Sequence, residues 1–122
     1  MKKIYLSGKI GEDPISEGTR MKFAKVAERL RGEGYKVFDP ADGKLSRVIN
    51  ERESLYEMSD WPFDKYKETL FMCISELRGM DAIYMLPDWM DSPGAKAEHA
   101  FAVAIGLQVY YDDELFEDGT AK

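Results

Sequence analysis

A chain of 122 residues, 44% hydrophobic and 33% charged, is long enough for one core and too short for two. Its net charge of −6 excludes a broad nucleic-acid surface, which needs a basic stripe, but not a small phosphate held by backbone N–H groups. The single cysteine excludes an internal disulfide, and no apolar run approaches membrane-spanning length.

MKKIYLSG turns polar too early for a signal peptide. With one cysteine, that makes a soluble, cytoplasmic protein the expectation. One His and one Cys without a clustered pair give no zinc-ligand pattern, so no metal is expected, and the leading reading reached below implies no organic cofactor. Lys3–Ser7 is a short apolar strand, left through the loop Ser7-Gly8-Lys9-Ile10-Gly11, whose glycines let backbone approach a ligand. Tyr5 on that strand either points into a site or packs in the sheet. Pro14–Thr19 is a polar lead-in. The helix that follows runs to about Arg31 with Phe23, Val26, Ala27 and Leu30 on one face.

Tyr35–Phe38 is a second strand, closed by Asp39-Pro40. Leu45, Val48, Ile49 and Leu55 have helical spacing in a charged segment, which predicts a surface helix over 44–58. Ser59-Asp60-Trp61-Pro62 reads as the next helix start, with Phe63, Tyr66, Leu70, Ile74 and Leu77 inward as far as Gly79.

The most informative stretch is DAIYMLPDWMDSPGAKAEHAFAVAIG, residues 81–106. Ala82–Leu86 is a strand; Ser92 is an N-cap with Pro93 at the first helical position and Gly94 beside it; the helix stops at Gly106. Glu98 shares a stripe with Phe101, Ala102 and Ile105. A carboxylate there is costly to bury unless something uses it. Helical side chains lean toward the N-terminus, so Glu98 points toward a helix mouth whose N–H groups suit a phosphate. Leu107–Tyr111 is a last strand, residues 112–116 one further turn, and 117–122 a disordered tail, leaving a single domain over 1–116. Strands alternating with helices predict an α/β fold: a small doubly wound, Rossmann-like three-layer sandwich. Its mostly parallel sheet of 4–5 strands would take the flavodoxin-like order 2-1-3-4. The Ser7–Gly11 and Pro87–Ser92 loops then meet at the carboxyl ends of the strands.

YLSG followed by LPDWMDSPGAKAE resembles the nucleoside 2-deoxyribosyltransferase-like superfamily, in particular a small branch with the pattern YLSG…LPxWxxSxGAxxE. The resemblance spans most of the chain and is tight in these two segments. It implies that Glu98 attacks the anomeric carbon of a nucleoside or nucleotide. A serine six residues earlier, here Ser92, implies a 5′-monophosphate. It also implies that Tyr5, Ser7, Gly8, Lys9, Ile10, Gly11, Ser92 and Gly94 bind substrate, and that a homodimer or higher homo-oligomer completes the site. Trp61 and Trp89 are the interface candidates. Asp39 is a candidate base contact, against the plainer reading of a turn aspartate before proline. His99 falls on another face and is expected to be peripheral.

Retaining cleavage of an N-glycosidic bond needs a carboxylate nucleophile and an acid for the departing base. Relatives place an aspartate eight residues before the strand-opening aspartate; here that position is Cys73. Either Asp88, Asp91 or a partner-subunit residue replaces it, or hydrolysis is weak or absent. Three readings follow. The first is an N-glycosidase or deoxyribosyltransferase acting on a (deoxy)nucleoside 5′-monophosphate. The second is a non-catalytic nucleotide-binding module. The third is an ordinary flavodoxin-like domain with Glu98 in an ion pair to Lys96 or a distant Arg. Expected partners are a small nucleotide or nucleoside, with neither a nucleic-acid polymer nor a membrane.

Overall fold

The computed structural model describes residues 2–11, 14–56 and 64–112. Four strands, β1 (Lys3–Ser7), β2 (Lys36–Phe38), β3 (Ala82–Met85) and β4 (Gln108–Tyr111), form one sheet in the order β2-β1-β3-β4. All three pairings are parallel, with Tyr5 opposite Phe38 on one side and Ile83 on the other. The protein is therefore an α/β three-layer sandwich of Rossmann-like type, with the expected strand order.

Strand alternation divides β1 between two cores. Ile4 and Leu6 pack with Ala82, Tyr84 and Leu86 under α1 (Glu17–Gly32), which presents Phe23, Ala27 and Leu30. Tyr5 packs on the opposite face with Ile83 and Met85, under α2 (Lys44–Tyr56), α3 (Lys65–Leu77) and α4 (Pro93–Ala104). One helix thus covers one face and three cover the other. Among the described residues, no helix is long and apolar enough to cross a membrane.

Several boundaries and faces differ from expectation. α1 begins at Glu17, inside the stretch read as a lead-in, because the Ser16 hydroxyl caps it by accepting from Thr19 N at 3.2 Å. α3 begins at Lys65, with the Asp64 carboxylate accepting from Lys67 N at 3.0 Å; the start read at 59–62, and Phe63, lie outside the described residues. So do Trp61, Met58 and the tail after Asp112. Val48 and Leu55 are exposed; the α2 residues that join the core are Leu45 and Ile49, one turn apart. Tyr66 is exposed because it stands in the first turn of α3, on the rim of a cavity. Ile105 follows the last turn of α4 and faces outward.

Candidate active site

Glu98 lies in the middle of α4, 7% exposed, on the face turned to the sheet. β1 supplies two of its partners. The Tyr5 hydroxyl donates to Oε2 at 2.7 Å and the Ser7 hydroxyl donates to Oε1 at 2.6 Å. Residues i and i+2 of a strand face one way, so this pair forms a two-pronged clamp under the carboxylate. Tyr5 is held flat by stacking on Phe38, with ring centroids 5.2 Å apart. Burial raises the Glu98 pKa above the ordinary 4.5, against the lowering effect of the Ser7, Tyr5 and Cys73 hydrogen bonds. Burial, and then the Glu98 charge, keeps the Tyr5 phenol protonated. Tyr5 and Ser7 are fully buried beneath Glu98 and line neither adjoining cavity. In this structure both hydroxyls are spent on positioning the carboxylate.

The Cys73 side chain reaches the same carboxylate from α3. Burial, and then the nearby Glu98 charge, pushes its thiol up to about 12, so it is neutral. Glu98 thus receives hydrogen bonds from Ser7, Tyr5 and Cys73, on β1 and α3, with no ion-pair partner among the described residues. This removes the footing of the ion-pair reading with Lys96 or an arginine.

Above Glu98 lies a cavity of about 180 Å³, walled by the Gly8–Gly11 loop, the first turn of α4 with Ser92 and Gly94, and Asp91. The Ser92 hydroxyl accepts from Ala95 N at 3.1 Å as the N-cap, leaving its own O–H to donate. The N–H of Gly94, in the first turn, has no acceptor within the helix. The structure thus brings Glu98, Ser92, Gly94 and the loop of β1 into one mouth.

Asp88 fastens this loop from the other side, accepting from Lys9 N at 3.0 Å and from Lys22 Nζ at 2.5 Å. Partial burial pushes its pKa up, but the Lys22 and Lys9 hydrogen bonds outweigh it and hold the carboxyl below the ordinary 3.8. An ion-paired carboxylate of that kind makes a poor proton donor, so Asp88 does not suit the role of replacement acid. Gly8 is pinched between the same elements: a Cβ there would lie 2.9 Å from Leu86 Cβ and 3.1 Å from Asp88 Oδ1. Gly11 adopts φ +65°, a left-handed turn that glycine makes without strain.

Asp39 takes the plainer of its two readings. Its carboxylate folds back to accept from Ala41 N at 2.9 Å, and Pro40, not Asp39, faces the cavity. His99 is peripheral: it stacks on Trp89 at 4.5 Å and shares a 2.7 Å hydrogen bond with the Tyr111 hydroxyl. Trp89 is half-buried in this stack.

Beside the first cavity lies a second of about 410 Å³ between the β1 loop, α2 and α3, sharing Ile10, Gly11, Pro40, Tyr66, Thr69 and Cys73 with it. Sequence reasoning assigned no ligand role to Leu45, Ile49, Asn50 or Thr69. Their only sequence signal is apolar or polar placement on helices whose mutual approach is not encoded locally.

The chain belongs to the DUF4406 family, a domain of unknown function, whose model matches residues 2–111. No curated protein matches the sequence.

Proposed function

We propose that the protein cleaves the N-glycosidic bond of a (deoxy)nucleoside 5′-monophosphate, with Glu98 as the nucleophile. The observation that carries this reading is the carboxylate itself. It is buried, without an ion-pair partner among the described residues, oriented by Tyr5 and Ser7, and placed under a cavity whose rim is a helix N-terminus. Such a rim suits a phosphate through its N–H groups and dipole. Glu98 attacks the anomeric carbon as the carbon–nitrogen bond breaks, and the bonding pair leaves with the base. Water then attacks the glycosyl ester, its hydroxyl goes to the sugar, its proton to the base, and Glu98 returns as a carboxylate. A second base in place of water would make the reaction a transfer. The resemblance to the nucleoside 2-deoxyribosyltransferase-like superfamily supports the same reading and a homo-oligomer, while the single cysteine supports a cytoplasmic setting.

Cys73 favours a second reading, a nucleotide-binding module without turnover. A thiol held near 12 gives a departing base little help, and departure of an unprotonated base is slow. One experiment separates the two. Ribo- and deoxyribonucleoside 5′-monophosphates are screened for released base, with Glu98→Ala in parallel. Release that vanishes in the variant supports the glycosidase; thermal stabilisation by a monophosphate without release supports the module; neither overturns both.

A further inference from the structure

The larger cavity takes no wall from α4, yet it adjoins the smaller one, which Glu98 lines, through Cys73 on the wall of both. Its apolar wall is Ile10, Ile15, Pro40, Leu45 and Ile49, with Ser46, Asn50, Lys65 and Thr69 as polar groups, and among the described residues no acidic side chain lines it. At about 410 Å³ it falls within the roughly 300–1,000 Å³ range of sites that enclose drug-sized ligands. A bare purine or pyrimidine is too small and too polar at its edges to fill it. Water against the aliphatic part of this wall finds few partners there, so an apolar group displaces it favourably from that part.

Resting on the nucleotide reading above, we propose that this cavity receives the base, and that the preferred substrates are nucleoside 5′-monophosphates whose base carries a bulky uncharged apolar substituent. Phosphate sits at the α4 mouth, the sugar spans Glu98, and the base passes Cys73 with its substituent between α2 and α3. The position of Cys73 at the junction of the two cavities fits that path. A small, neutral side chain leaves the passage open, where a carboxylate would bring charge to an apolar throat.

The test compares binding of adenosine 5′-monophosphate and its N6-benzyl derivative by calorimetry, with the wild type and Asn50→Trp. Asn50 is exposed on α2 at the cavity wall, so the indole fills the space without rebuilding the core; circular dichroism checks folding. The expected result is roughly tenfold or more tighter binding of the benzyl nucleotide, a preference that shrinks toward parity in Asn50→Trp. Equal binding of the two nucleotides by the wild type, or a preference that Asn50→Trp leaves intact, overturns this inference and leaves the nucleotide reading standing. Binding of neither overturns both.

Discussion

Tyr5 and Glu98 are 93 residues apart in the chain, yet the phenol donates to the carboxylate at 2.7 Å. The contact joins the middle of the second strand in the sheet to the middle of α4, and both groups are buried. A carboxylate so placed is fixed in direction before any ligand arrives. Its orientation costs nothing further at the moment of reaction.

Tyr5→Phe keeps the stack on Phe38 but removes one of the donors to an ionised group. A hydrogen bond of that kind contributes about 1.5–3 kcal/mol, so a comparable loss of stability at neutral pH is expected in urea unfolding. Any base release by the variant should show its acid limb shifted to higher pH, since a donor that favours the charged form is gone.

Glu98→Gln keeps the shape of the site and removes the nucleophile. Base release should fall by on the order of a thousandfold or more, as when an essential nucleophile is removed elsewhere, with nucleotide binding retained in calorimetry. A variant that still releases base at the wild-type rate would remove Glu98 from the chemistry.

The pH dependence of stability follows from the direction of the Glu98 shift. Its folded-state pKa lies above the ordinary 4.5, so over the interval between the two values the native state holds more protons than the unfolded chain. Stability from this group is fully present below 4.5 and declines as pH rises through the folded value. Asp88, held below 3.8, acts oppositely: its contribution is present above that value and is lost as pH falls through the lowered one. The stability of Glu98→Gln relative to wild type should therefore grow as pH is raised from 4.5 toward neutrality, in denaturant melts at several pH values.

Two glycines of the mouth should respond in opposite ways to alanine. At Gly8 the new methyl meets Leu86 Cβ at 2.9 Å, and Gly8→Ala is expected to destabilise by about 1–3 kcal/mol, as overpacking does. At Gly94 the nearest neighbours, Leu70 Cδ1 and Tyr66 Oη, are 3.7 Å away. Gly94→Ala should leave Tm unchanged or raise it, because alanine favours helix by roughly 1 kcal/mol over glycine. The added methyl stands beside the Ser92 hydroxyl, at 3.8 Å, so monophosphate affinity should fall. Differential scanning calorimetry and titration with nucleotide separate the two effects.

Cys73→Asp places a second carboxyl beside Glu98. Two carboxyls in one buried site resist joint ionisation, so one stays protonated near neutral pH and can donate to a departing base. Base release should rise relative to wild type and show a bell-shaped pH profile, whereas Cys73→Ser, similar in size but without a comparable acid, should not rise.

Much of this molecule is written in short-range signals. Alternating strands and helices set the parallel sheet and its 2-1-3-4 order, Ser92 and Pro93 set the start of α4, and the lone charge on an apolar stripe singled out Glu98. Periodicity and caps act over a few residues, so they can be read without the fold. Which groups meet Glu98 could not. That Tyr5 and Ser7 rise under it, that Cys73 reaches it from α3, and that Asp39 turns back on Ala41 depend on how strands and helices pack. Likewise the cavity between α2 and α3 depends on how the helix carrying buried Leu45 and Ile49 meets the one carrying buried Cys73 and Leu77. Local pattern fixes which face of an element is apolar; the partner across that face is chosen by long-range packing, and only the tertiary structure decides it.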